Sequence, residues 1–195
     1  METKKTIRKP TTEEIERELK RVRYNERYGM TLRSTIYTLI TVAAVAVLVA
    51  VLLLPVLRIY GVSMSPTLQD GDIVISVKGA DFENQDIIAF YYNNKILVKR
   101  VIAKSGEWID MDMDGTVRVN GKILDEPYIT EKALGDCNIN LPYQVPEGKL
   151  FVLGDHRSVS VDSRNSAVGC VSEEQIVGKL VMCVWPFERF GRIAD

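Results

Sequence analysis

A single histidine, three cysteines and a formal net charge of −1 leave this 195-residue chain short of the commonest signatures of function. Charge so close to balance points neither to nucleic acid nor to an acidic substrate, and no nucleic-acid partner is expected. Cys137, Cys170 and Cys183 lack the Cys-x-x-Cys spacing of a metal site, so neither a metal nor a cofactor is expected. Their odd number leaves at least one thiol unpaired within a monomer. Cys170 and Cys183 lie in apolar, strand-like stretches where a small buried hydrophobe is the ordinary role, with a Cys170–Cys183 bridge as the alternative. There is no internal repeat and no low-complexity tract, and the length gives room for one packed domain plus an anchor.

The most informative absence is local. Residues 34–57 carry no charge at all, whereas residues 1–33 hold ten Lys/Arg against six Asp/Glu and residues 58–195 hold fifteen against twenty. Twenty-four uncharged residues make roughly 36 Å of helix, enough to cross a hydrocarbon core of about 30 Å. A cleavable signal peptide would have a shorter apolar stretch nearer the N-terminus, and a soluble core helix would show a polar stripe. The span therefore reads as an uncleaved anchor. Lys20, Arg21, Arg23, Arg27 and Arg33 precede it, so the positive-inside bias places the N-terminus in the cytoplasm and residues 58–195 outside the plasma membrane, as a single-pass protein.

Within the basic leader, Thr11 and Glu14 form a capping-box pattern, and Ile15, Leu19 and Val22 recur at helical spacing. This predicts a short amphipathic helix before the anchor, and Pro55 marks where the anchor leaves helical geometry. Beyond the anchor the period changes to two. Strands are predicted over 73–78, 86–92, 96–104, 107–111, 117–119, 150–153 and 176–184, with tight turns at Asn93-Asn94 and Asn120-Gly121. Many short strands with almost no helical pattern predict a mostly β, antiparallel domain, with a long surface loop over 130–148.

Three segments carry candidate chemistry. In Gly61-Val62-Ser63-Met64-Ser65-Pro66-Thr67-Leu68, a serine would need a base to become a nucleophile and backbone N–H groups to hold an oxyanion. In Leu97-Val98-Lys99-Arg100-Val101, alternation puts Lys99 on an apolar face with Leu97 and Val101, where desolvation lowers its pKa. The alternative is a lysine that snorkels at a sheet edge. The third segment, 154–164, alternates hydroxyls, carboxylates and guanidinia that can build an internally satisfied polar network or a solvated loop.

Taken together and in this order, the three segments resemble the type I signal peptidases, Ser/Lys membrane peptidases of exported preproteins, and the compact Gram-positive branch in particular. Further familiar segments are Gly71-Asp72, Asp86-Ile87-Ile88-Ala89-Phe90, Asn120-Gly121, Glu126-Pro127-Tyr128, Val145-Pro146-Glu147-Gly148 and Trp185-Pro186. The resemblance implies Ser63 as nucleophile, Lys99 as general base and then acid, and the Ser63 N–H as the main oxyanion donor. Gly61 stands where many relatives add a serine hydroxyl. Ser160 would bond and orient the Lys99 amine, while Asp155, Asp162, Arg164 and Arg100 would form a supporting ion network. Leu57, Ile59, Leu68, Val74, Ala89 and Val98 fall where the family lines shallow pockets for small residues at the −3 and −1 positions. The implied partners are preprotein signal peptides, the lipid bilayer and the secretion machinery.

His156 and Gln85 depart from the family pattern, which has Asn and Gly there, and Ala103-Lys104-Ser105-Gly106-Glu107 replaces its usual turn. The lone histidine also admits a Ser-His-Asp triad with Asp155 or Asp162, although adjacent residues 155 and 156 point apart on a strand. A specialist for a narrow set of surface or pilin-like precursors and a silent peptide-binding module are the remaining alternatives.

Overall fold

The computed structural model describes residues 11–193, so residues 1–10 of the basic leader lie outside the described residues. Leader and anchor form one continuous helix, α1 (Thr12–Leu53), in place of the separate leader helix expected. No Pro or Gly-Pro pair interrupts 12–53, and the interior Gly29 alone is too weak a breaker to end a helix. Half of the expected capping box is made, with the Thr11 N–H donating to the Glu14 carboxylate at 2.9 Å. The helix stops two residues before Pro55, which disfavours helical backbone at the position preceding it. Thr35, Thr38 and Thr41 donate their hydroxyls to carbonyls four residues back, so these polar groups are satisfied inside the apolar stretch. α1 is long and apolar enough to cross a membrane. Residues up to Ala50 and residues from Val51 onward form two separate compact units.

The second unit is antiparallel β. Its strands are β1 (Val56–Arg58), β2 (Ile73–Val77), β3 (Ile87–Tyr92), β4 (Lys95–Ala103), β5 (Trp108–Met111), β6 (Val117–Val119), β7 (Lys122–Ile123), β8 (Tyr143–Gln144), β9 (Lys149–Leu153), β10 (Val171–Ser172), β11 (Ile176–Trp185) and β12 (Gly191–Arg192). The larger sheet runs β1-β2-β11-β3-β4-β9-β10 with β12 beside β11, and the smaller runs β7-β6-β5-β8. All seven predicted strands are present, with ends shifted by at most one residue. The five that the pattern missed span two or three residues, too few for alternation to register. Asn93, at φ 50°, opens the two-residue turn from β3 to β4, and Asn120 and Gly121 (φ 52° and 78°) make that from β6 to β7.

Alternation along the strands feeds separate cores. Ile87 and Ala89 of β3 join Ile59, Met64, Leu68, Val74, Leu180 and Cys183, whereas Ile88 and Phe90 pack with Val101, Leu150, Val152 and Val171. Ile102 and Ala103 join a third cluster with Ile109, Val117, Phe151 and Leu153, which couples the two sheets. Cys170 packs against that third cluster and Cys183 belongs to the first; both are unbridged, as is Cys137. The 130–148 loop is less free than expected. β8 pairs it to β5, and Leu134 O accepts a 2.6 Å hydrogen bond from Arg164. Gly135 is pressed so closely on this arginine that an added Cβ would lie 2.6 Å from its Nη1.

Candidate active site

Ser63 lies in the turn between β1 and β2. Met64 and Leu68 bury their side chains in the first core cluster and fix the turn from below, leaving Ser63 half-buried at its surface. Gly61 takes a left-handed φ of 85°, and its N–H donates to Asp70 Oδ1 at 2.7 Å. The Ser63 carbonyl accepts from the His156 N–H at 3.0 Å. The Ser63 N–H itself has no acceptor among the described residues.

Lys99 comes from the middle of β4 and is only 3% exposed. Its Nζ donates to Ser63 Oγ at 2.7 Å. Loss of water around the amine lowers its pKa from 10.5 to about 8. The Asp162 and Asp155 carboxylates pull it back up and Arg164 pushes it down, but desolvation is the largest influence and prevails.

Those charges are fixed by arginines. Arg100, adjacent to Lys99 but facing the other way, holds Asp155 through Nε and Nη2 at 2.9 and 2.8 Å. Thr67 donates its hydroxyl to the same carboxylate, which ties the Ser63 turn to β4. Arg164 grips Asp162 in the same forked manner, at 2.8 Å for both contacts. Asp162 in turn accepts from the Gly154 N–H at 3.0 Å. All four charged residues are buried. The expected network is thus two bidentate pairs joined through the backbone around Gly154.

Ser160 departs from expectation. Its hydroxyl is buried but finds no hydrogen-bond partner among the described residues, because the Lys99 amine is turned to Ser63. Ser160 packs instead against Gly154, where an added Cβ would lie 2.2 Å from Ser160 Oγ and 2.5 Å from the Ser63 carbonyl oxygen. A triad is not assembled either. The buried Nδ1 of His156 has no hydrogen-bond partner among the described residues, and both aspartates that would orient it are held by arginines.

Beside the Ser63–Lys99 pair runs a cleft of about 660 Å³ between the β1 segment and the first half of β4. Leu57, Ile59 and Val98 line it, together with Gly61. Leu68, Val74 and Ala89 do not; each is almost wholly buried, at 1%, 0% and 0% exposure, and forms the core under the cleft floor. Met64, Tyr60 and Leu97 line the cleft in their stead.

A family model described as signal peptidase, peptidase S26, matches residues 32–185, which include Ser63, Lys99 and both arginine–aspartate pairs. Signal peptidase IB of Staphylococcus aureus is 41% identical over 152 residues, covering 68% of this chain and 78% of that one. Signal peptidase I of Bacillus amyloliquefaciens is 36% identical over 162 residues, covering 76% and 83%. The chain belongs to the signal peptidase family, peptidase S26. A crystal structure of a signal peptidase I from Enterococcus faecalis V583 is 32% identical, with a TM-score of 0.43 over 52% of this chain and 97% of that one. As a member of this family the chain is a type I signal peptidase, a serine peptidase that cleaves signal peptides, and its apolar N-terminal helix fits a membrane-anchored protein.

Several residues of this signal peptidase site were visible in the sequence without a role attached. Arg157 forms a buried ion pair with Glu126, and Tyr128 donates to Glu126 at 2.9 Å. The Tyr128 ring also stacks under the Arg100 guanidinium, 3.7 Å from its centroid. Burial, followed by the Glu126 charge, drives the Tyr128 pKa far upward. Arg189, beyond the family match, clamps the Ser63 turn from behind by donating to Thr67 O at 2.6 Å and pairing with Asp72 at 3.0 Å. The Gln85 departure also has a physical reading. Its φ of 76° is a left-handed backbone in which glycine is unstrained, and its carbonyl accepts from Arg100 at 2.7 Å.

Proposed function

We propose that this signal peptidase cuts by attack of Ser63 Oγ on the scissile carbonyl, with Lys99 as the base. The observation that carries the reading is the 2.7 Å contact between Ser63 Oγ and a lysine amine that is buried, desolvated and lowered to a pKa of about 8. The neutral amine takes the serine proton as the C–O bond forms. The oxyanion is held by the unoccupied Ser63 N–H, since Gly61 adds no hydroxyl. The resulting ammonium gives its proton to the leaving amine, and an acyl-enzyme remains on Ser63. Lys99 then draws a proton from water that hydrolyses this ester. Ser160, buried and unbonded, takes the role of steadying the amine once Ser63 is acylated.

The substrate lies extended in the cleft, with small residues at −1 and −3 over Leu57, Ile59 and Val98, and with Leu68, Val74 and Ala89 setting the depth of the floor from beneath. Ten basic residues in 1–33 favour an N-terminus in the cytoplasm and cleavage on the outer side of the plasma membrane, where precursors leave the secretion machinery. Cleavage of a preprotein by detergent-solubilised full chain, beside Ser63→Ala and Lys99→Ala, tests the reading. Both variants should lose cleavage while remaining folded, and activity retained by either would refute it.

A further inference from the structure

The outer end of the cleft carries cations that the cutting mechanism does not use. Arg58 lies five residues before Ser63 on one wall, and Lys95 lies four residues before Lys99 on the other. Both side chains are exposed, both line the cleft, and neither has an ion-pair partner among the described residues. Among the described residues, no Asp or Glu lines the cleft. The Arg58 guanidinium is held at the rim over the Tyr60 ring, 5.4 Å from its centroid. Lys95 starts β4 directly after the two-residue turn, and strand alternation gives it the same side as Lys99, about 13 Å away at strand rise.

An extended substrate advances by the same rise, so the residue four or five places from the scissile bond comes level with Lys95, and Arg58 lines the facing wall. The side of the bond follows from the proposed placement of the substrate. In that reading the residues at −1 and −3 lie over Leu57, Ile59 and Val98, and Arg58 and Lys95 extend the same two walls away from Ser63 and Lys99. Residues further before the cut therefore lie between Arg58 and Lys95. We infer that Arg58 and Lys95 select precursors with an acidic side chain at −5 or −4, which rests on the assignment of Ser63 and Lys99 as the reacting pair.

The test uses the full chain in neutral detergent and one precursor made with Asp, Asn or Lys at −5. At low ionic strength kcat/KM should fall in the order Asp, Asn, Lys, with about tenfold between the extremes, as for an exposed attraction exchanged for repulsion. Salt at about 0.5 M should compress the spread, because exposed charges are screened. The double variant Arg58→Glu, Lys95→Glu should reverse the order. Equal rates for the three precursors, or an unchanged order in the double variant, would overturn the inference. Equal rates in detergent, with Arg58 and Lys95 needed only on vesicles of anionic phospholipid, would overturn it in favour of lipid phosphates. Cleavage that survives Ser63→Ala would instead overturn the reacting pair, and the selectivity with it.

Discussion

Lys99 is a buried amine whose charged form is penalised, and two measurable consequences follow from the sign of that penalty. Its folded pKa of about 8 lies below the ordinary 10.5, so the unfolded chain keeps a proton between these values that the folded chain has released. Stability should therefore rise with pH across that window, and the full penalty, about 3 kcal/mol, is present below about pH 8. Lys99→Met should remove cleavage yet raise Tm below pH 8, by about 2–4 °C for each kcal/mol recovered, as scanning calorimetry would register. A fall in Tm would show that the hydrogen bond to Ser63 outweighs desolvation. At Gly154 the constraint is steric. A methyl there meets both the Ser63 carbonyl and Ser160, so Gly154→Ala should displace Ser63 and lower kcat about a hundredfold, with little change in KM. Steady-state kinetics at saturating precursor would check this.

At the scale of elements, the Ser63 turn is fastened at several points: core burial of Met64 and Leu68, the His156 N–H, the Thr67 bond to Asp155, and Arg189 from the C-terminal segment. Arg189→Ala should cost about 2 kcal/mol of stability in denaturant unfolding, since buried Asp72 loses its counter-charge. It should also lower kcat more than it raises KM, with partial recovery in Arg189→Lys. Arg189 shows where reading the chain stopped short. Besides Asp72, its partners are backbone carbonyls 122 and 123 residues away, and a carbonyl leaves no trace in side-chain identity. Ser63, Lys99, Arg100, Asp155, Asp162 and Arg164 were singled out by the likeness of the three segments taken together, since each segment alone also reads as a loop or a snorkelling lysine. Alternation also placed Lys99 opposite Arg100. The cleft was only half legible. Leu68, Val74 and Ala89 look the same in sequence whether they line a pocket or lie just under it, and that difference is decided by packing around β2, β3 and β11. The continuous α1 was missed for a similar reason: a change from charged to apolar composition does not require a break in helical backbone.

Across the whole molecule, an apolar helix that fits a membrane anchor is joined to a β unit that carries a buried lysine beside a serine. The proposed orientation predicts that protease added to intact cells digests residues beyond the apolar stretch and leaves the basic leader protected; the opposite pattern would reverse the topology. The central claim is that Lys99, and no histidine, activates Ser63. It is tested most directly by the pH dependence of kcat/KM for preprotein cleavage, measured for the wild type, Lys99→Ala and His156→Ala. The account predicts a rate that climbs through about pH 8 as Lys99 loses its proton, a profile kept by His156→Ala, and no cleavage by Lys99→Ala. A profile set near the ordinary histidine value of about 6.5 and abolished by His156→Ala would contradict it.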